Sequence, residues 1–336
     1  MSENQATAAA SPIHPVTSTV TWADRWDHFL ARWAVNRSGH QVEPGLYALG
    51  APSETSPVFV TANYTLSFDE LRASLAGIDG HILVLDTKGI NVWCAAGKGT
   101  FGTGELVHRI EATGLREVAA HRELILPQLG APGVAAHEVK RRSGFAVEYG
   151  PVRAADLPEY LRTGRATPEM RRVGFGLRDR LALIPVELAH TLLPMAIAAF
   201  LVYWLGGWLA SLAVVAAVLA GVVLFPILLP WLPAHDFSSK GFLLGILVAV
   251  PFALSAFWGR PDLLWWQRAG SALVYLLVMP AITTFLALNF TGSTTFTSRT
   301  GVRREIFAYA PVMALTFGAG VVVTLVLAVL NLIGAD

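Results

Sequence analysis

His81-Ile82-Leu83-Val84-Leu85-Asp86-Thr87-Lys88-Gly89-Ile90-Asn91-Val92-Trp93-Cys94-Ala95-Ala96-Gly97-Lys98-Gly99-Thr100-Phe101 is the run on which the reading of this chain turns. Residues 81–85 read as a strand, and the unbroken apolar stretch from Ile82 marks one buried on both faces. Polar and glycine residues then end it. Working outward, residues 58–62 read as a preceding strand and 68–76 as a helix with Ser67 as its N-cap. Beyond the run, 102–112 reads as a helix, 123–126 as a strand, 133–142 as a helix, 145–149 as a strand and 154–162 as a helix. Repeated strand–helix units predict a mostly parallel sheet covered by helices, an α/β Rossmann-like (flavodoxin-like) domain. Such sheets bind ligands beyond the carboxyl ends of their strands. The segments to watch are therefore 61–64, 86–101, 127–131 and 150–152.

Composition divides the chain. A mean hydropathy of +0.51 with 15% charged residues is too apolar for an ordinary soluble protein. Residues 1–180 carry most of the charge, and apolar runs fill the remainder. Five spans are expected, at about 183–205, 208–231, 241–258, 271–290 and 308–333, each near the ~20 residues that cross a hydrocarbon core. Arg171, Arg172, Arg178 and Arg180 precede the first span, and Arg299, Arg303 and Arg304 lie before the last. By the positive-inside rule the soluble domain faces the cytoplasm of a multi-pass cell (inner) membrane protein, although Arg260 and Arg268 oppose this. Glu187 and His190 share one face near the cytoplasmic end of the first span, and ionisable residues there are functional candidates. A net charge of +1 gives no ground for nucleic-acid binding.

Residues 1–20 lack a basic start followed by an apolar core, so they read as a disordered tail rather than a signal peptide. Trp22, Trp26, Phe29, Leu30 and Trp33 then fall on one helical face. That face is expected to pack on the neighbouring domain, with an interfacial membrane helix as the alternative. The expected organisation is a tail at 1–20, an α/β domain at 21–165, a linker at 166–182 and membrane helices at 183–336.

The glycine-rich segment after the strand first raises nucleotide binding. A P-loop requires glycine at Val92 and Ser or Thr at Gly99. The dinucleotide pattern G-x-G-x-x-G reads as failing too, with Gly102 one residue late after Gly97-Lys98-Gly99 and no acid at the later strand end. The single cysteine, Cys94, excludes an internal disulfide and any Cys-rich metal cluster held by this chain alone. A lone cysteine is most often a small buried residue. Cys94, however, falls where the sheet binds ligands, at the start of a short helix whose dipole, with Lys98, favours a thiolate. A thiolate is a soft, strongly donating ligand able to cap one face of a planar metal macrocycle. The rival histidine mode, D-x-H-x-x-G, begins at Asp79-Gly80-His81, but Val84 replaces its glycine. His81 therefore reads as structural, and His108, His121 and His137 as scattered, solvated residues.

Asn91-Val92-Trp93-Cys94-Ala95-Ala96-Gly97-Lys98 resembles the cap-helix signature of mercury-methylation corrinoid proteins. The flanking residues are similar to corrinoid iron–sulfur proteins of the acetyl-CoA pathway. So are Val58-Phe59-Val60-Thr61-Ala62-Asn63-Tyr64, Leu126-Pro127-Gln128-Leu129-Gly130-Ala131-Pro132-Gly133, Tyr149-Gly150-Pro151-Val152 and the late segment Asn289 to Ser298. Those soluble relatives carry threonine at the cysteine position and bind an iron–sulfur cluster, for which this chain has no ligands.

The resemblance implies a cobalamin-type, base-off corrinoid with Cys94 as lower axial cobalt ligand and catalytic residue. It implies methyl transfer from cobalt to Hg(II), forming methylmercury. The alternative is a membrane-tethered corrinoid methyl carrier or corrinoid-binding protein whose acceptor is not mercury. It extends a corrinoid-contacting role to Thr61, Asn63, Thr87, Gly89, Asn91, Val92, Trp93, Ala95, Ala96, Gly97, Lys98, Thr100, Gln128, Gly130 and Gly150. Trp93 and Asn91 would hold the cap helix, and Lys98 would be a solvated charge near the thiolate. The implied partners are a ferredoxin-like iron–sulfur protein, as electron donor and mercury donor, and a methyltransferase drawing on a methyl-pterin. Membrane lipid is the remaining partner.

Overall fold

A computed structural model describes residues 12–36, 38–294 and 299–333. The chain divides near Gly174 into an α/β unit and an all-helical unit. The first holds strands β1 (His14–Val16), β2 (Gly45–Leu49), β3 (Val58–Ala62), β4 (Gly80–Leu85), β5 (Glu123–Leu126) and β6 (Ala146–Tyr149). Its helices are α1 (Trp22–Arg32), α2 (Thr65–Ser74), α3 (Val92–Lys98), α4 (Thr103–Ala112), α5 (Leu115–Val118), α6 (Ala136–Ser143) and α7 (Leu157–Thr163).

The six strands form one sheet in the order β1-β2-β4-β3-β5-β6. β4, β3, β5 and β6 are mutually parallel, while β2 runs antiparallel to β4 and parallel to β1. The chain thus leaves β3 for β4 on one side and returns past it to β5 on the other. That reversal between β3 and β5 is the kind of crevice where open α/β sheets bind ligands.

Side-chain alternation builds two cores from the same strands. Val58, Val60, Ala62, Leu83, Leu85 and Leu126 meet Ala95, Ala96, Phe101, Leu106, Ile110 and Val139 on one face. Phe59, Ile82 and Val84 meet Phe68, Leu71, Leu75, Leu157 and Tyr160 on the other. This double burial is why Ile82–Leu85 could be apolar without alternation.

Several expectations are corrected. Residues 14–16 of the supposed tail pair with Tyr47–Leu49 as an edge strand, while residues 1–11 lie outside the described residues. Helix α2 begins at Thr65 with Tyr64 at its cap, and Ser67 lies inside it, because the Tyr64 carbonyl already accepts the Ser67 and Phe68 amides. The expected linker at 166–182 is partly domain: Met170 is buried in the second core and its carbonyl accepts the Val152 amide.

The helical unit holds α8 (Leu177–Leu181), α9 (Ile184–Leu219), α10 (Phe225–Leu228), α11 (Phe237–Trp258), α12 (Trp265–Phe290) and α13 (Arg299–Leu332). Among the described residues, four helical stretches are long and apolar enough to cross a membrane. The first two expected spans fall in one stretch, Leu177–Leu228, of 52 residues. At 1.5 Å per residue it would extend about 78 Å if straight, well over twice a hydrocarbon core. It is interrupted at Gly207, whose φ of 77° only glycine adopts readily.

Small residues let α11 and α12 approach closely. A Cβ on Gly241 would lie 2.5 Å from Ala287 Cβ, and one on Gly245 would lie 2.5 Å from Pro280 Cα. Arg180, read above as a topogenic charge, is instead buried and donates to the carbonyls of Pro226 (2.8 Å) and Ile227 (2.7 Å). Glu305 accepts the Phe237 and Ser238 amides, capping the free N–H groups at the start of α11.

Candidate functional site

Helix α3 spans only seven residues, so its ends and seat determine where Cys94 stands. Asn91 is extended (φ −62°, ψ 159°), and its Oδ1 accepts the Cys94 amide at 2.9 Å, an N-cap. Gly99, at φ 86°, closes the helix in the left-handed conformation. Ala95 and Ala96 form the buried side, Val92, Trp93 and Cys94 are half-buried, and Gly97 and Lys98 are exposed.

Glycines in the facing loop make that seat close. A Cβ on Gly133 would lie 2.1 Å from the Phe101 carbonyl oxygen and 3.0 Å from Ala96 Cα. A Cβ on Gly130 would meet the buried Phe101 ring at 2.6 Å. Gly133→Ala is therefore expected to cost about 1–3 kcal/mol through overpacking against backbone and to displace α3. Gly97 has no atom within 4 Å of an added Cβ. Gly97→Ala should leave the thermal midpoint unchanged or slightly raised. Circular-dichroism melts of the two variants, with the labelling rate of Cys94 by a thiol reagent, check the contrast.

A second loop, from the end of β4 to α3, is organised from β3. Asn63 Oδ1 accepts the amides of Thr87 (3.0 Å) and Gly89 (3.0 Å). The Thr87 hydroxyl lies 2.8 Å from the same oxygen and 2.7 Å from the Ile90 carbonyl, with one proton to give to either. Asn63 Nδ2 donates to Gln41 Oε1 at 3.1 Å. The loop it gathers places Lys88 (φ 60°) and Gly89 (φ 68°) in the left-handed region. Burial alone would raise the Asp86 carboxyl, but hydrogen bonds from the Lys88 side chain and backbone outweigh it. With the nearby charges of Lys88 and Arg109, they hold it below the usual carboxylate range.

The structure places several of the residues expected to contact a ligand within the protein's own frame. Asn63 and Thr87 are buried, and their polar groups are engaged inside the protein, where they shape the loop. Gln128 Oε1 accepts from Arg171 at 2.8 Å. Thr61 is buried at the end of β3, and Gly150 packs on Ile125. Thr100 is half-buried, and its amide donates to the Ala95 carbonyl at 3.0 Å. The exposed groups beside Cys94 are Asn91, Gly97, Lys98 and Gly99.

Gln41 and Arg171 were not anticipated as parts of this frame. Gln41 has no local motif and reaches Asn63 only through tertiary pairing, and Arg171 reads in sequence as a topology charge.

Gly97, Gly99 and Gly102 do match the spacing G-x-G-x-x-G, but they lie between α3 and α4 rather than opening a helix after a strand. The pattern is therefore helix termination, not a phosphate turn. Among the described residues no group of three or more His, Cys, Asp or Glu side chains could hold a metal, and Glu187 and His190 form no such cluster. A metal at Cys94 would need to bring most of its ligands with it, as a macrocycle does. The surface at Gly97 and Gly99 is open, and a single soft donor beside it is compatible with a corrinoid, which carries its other cobalt ligands in its own ring.

His81 is buried, with Nε2 3.3 Å from the Ser53 carbonyl and Nδ1 unpartnered among the described residues. His121 is not simply solvated, since its Nε2 lies 2.8 Å from the Ser56 carbonyl. Burial lowers His81 below the usual histidine value, outweighing the Ser53 carbonyl that raises it, and His121 adds to the lowering. The unfolded chain then takes up a proton that the folded one resists. Stability from this residue should be present above about pH 6.5 and be lost as pH falls below it. Thermal midpoints at about pH 7.5 and about pH 5 should differ less in His81→Leu than in the parent.

A family model described as CO dehydrogenase/acetyl-CoA synthase delta subunit matches residues 33–161. The acetyl-CoA decarbonylase/synthase complex subunit gamma of Methanopyrus kandleri is 39% identical over 128 residues, covering 37% of this chain and 27% of that protein. Its Archaeoglobus fulgidus counterpart is 34% identical over 127 residues, with the same coverage. The corrinoid/iron-sulfur protein large subunit of Moorella thermoacetica is 25% identical over 181 residues, covering 48% of this chain and 40% of that protein. The chain thus spans about a quarter of the length of the gamma subunits it matches. Its α/β unit is related to corrinoid proteins of the acetyl-CoA pathway. The family match ends before the apolar helices. Residues 295–298 of the late segment lie outside the described residues.

Proposed function

We propose that this chain is a membrane-anchored corrinoid protein that passes a methyl group to Hg(II), with the Cys94 thiolate as lower axial ligand of cobalt. The observation that carries this reading is the setting of Cys94. It stands on a capped, closely seated short helix beside β3, with no other cluster of potential metal ligands among the described residues.

When bound, a base-off corrinoid supplies a cobalt centre that carries a methyl group and releases it to an electrophile. Cys94 would hold the cobalt through its thiolate and supply electron density to it. Asn91 fixes the first turn, Ala95 and Ala96 bind the helix to the core, and Gly97 and Gly99 keep the surface clear. Asn63 and Thr87 hold the approach loop in shape. Hg(II) is the substrate, and as a soft cation it favours the thiol-lined delivery a partner can provide.

The name of the Moorella relative, which joins corrinoid and iron–sulfur, supports the cofactor and an iron–sulfur electron supply. With one cysteine in this chain, that supply falls to a ferredoxin-like partner. A methyltransferase using a methyl-pterin supplies the methyl group. The four apolar helices anchor the chain in the cell membrane, and Arg171, Arg172 and Arg178 favour a cytoplasmic α/β unit.

A second reading, a membrane-tethered methyl carrier with another acceptor, is favoured by relatives named for the acetyl-CoA complex. Purified holoprotein given a methyl donor, a reductant and Hg(II) separates the two. Methylmercury formed in proportion to protein is expected. Methyl uptake without methylmercury would favour the carrier.

A further inference from the structure

The aromatic face of α1 is only partly packed: Leu30 and Trp33 are half-buried, while Trp22, Trp26 and Phe29 are exposed. Trp22 is 79% exposed and Trp26 55% exposed, with Trp26 stacked on Phe29 at 5.3 Å between ring centroids. Trp22, Arg25, Trp26, Phe29 and Arg32 form the exposed side of the helix.

The helix is docked instead by its acidic side. Asp24 accepts from Arg72 at 2.8 Å, Asp27 pairs with the buried His40 at 2.7 Å, and His28 pairs with Asp69 at 2.7 Å. Both acids of α1 are therefore taken up by the domain, and its two arginines are left on the aromatic side. Burying polar groups while exposing two tryptophans is the reverse of ordinary core logic.

We infer that this face of α1 rests in the headgroup region of the anionic bilayer entered by the chain's own apolar helices. Tryptophan prefers the membrane–water interface, and arginine is drawn to anionic headgroups. The occupant is a lipid surface because charge and aromatic content match it and because the same chain carries four helices able to cross a bilayer. That continuity keeps a membrane at high effective concentration. The inference rests on the membrane reading of those helices.

The test uses the full chain carrying Cys94→Ala and Ala23→Cys, so that one thiol on exposed α1 takes an environment-sensitive fluorophore. It is reconstituted in vesicles of phosphatidylcholine with phosphatidylglycerol, or of phosphatidylcholine alone. Flotation with the vesicles reports insertion of the helices independently of the label. A blue-shifted emission quenched by lipids brominated near the headgroup is expected in the anionic vesicles. Trp22→Ser with Trp26→Ser should abolish it. Arg25→Gln and Arg32→Gln should each weaken docking roughly fivefold. Floating protein whose label stays in water in both vesicles overturns the inference and assigns the face to a protein partner. So does quenching that survives loss of both tryptophans. Protein that does not float refutes the membrane reading itself.

Discussion

Cys94→Ala is expected to reduce methylmercury formation by on the order of a hundredfold or more, each ~1.4 kcal/mol of lost transition-state stabilisation being tenfold in rate. The α/β unit should stay folded, because α3 is seated through Ala95, Ala96 and Gly133 rather than through the half-buried cysteine. Cys94→Thr should behave similarly, since a neutral hydroxyl is a far poorer donor to a soft metal than a thiolate. Methylmercury production in cells expressing each variant, beside corrinoid content of the purified proteins, checks this. Full activity with bound corrinoid in either variant would remove Cys94 from the chemistry.

Asn63→Ala should have the next largest effect, through position rather than contact. Its Oδ1 is the acceptor for the Thr87 and Gly89 amides, and its burial denies them water as a replacement. Leaving such groups unsatisfied costs about 1–3 kcal/mol each. The loop from β4 to α3 should loosen, with a lower melting midpoint and weaker corrinoid retention. Asn63→Asp keeps the acceptor oxygen but loses the donor to Gln41 and buries a charge, so it should recover only part of the loop's order. A retention loss in Asn63→Ala without any loss of protection from hydrogen exchange at residues 87–90 would contradict a positioning role.

What the sequence made legible is the part governed by local pattern. β3 and β5 lie where apolar runs bounded by turn residues placed them, and the breaks after β4 and α3 follow from glycine. Strand β1 escaped because it is three residues with a proline inside it, and β2 because Pro44 and Gly45 open it as a turn would; the place of both depends on pairing with distant partners. The aromatic period of α1 was real, but period cannot tell which side is docked when Arg72 and His40 claim the acids opposite. Asn63 and Gln128 drew notice as polar residues at strand ends. Only the structure reveals that their partners are Gln41, the Thr87 and Gly89 amides, and Arg171. In the first apolar stretch, the division expected between residues 205 and 208 coincides with the non-helical Gly207 that interrupts the helix.

The most direct test of Cys94 as cobalt ligand is the ultraviolet–visible spectrum of the purified full chain reconstituted with a cobalamin-type corrinoid, recorded with and without Cys94→Ala. The parent should show a base-off corrinoid with a cobalt–thiolate signature, and the variant should retain corrinoid while losing that signature. Identical spectra from the two proteins would contradict the assignment.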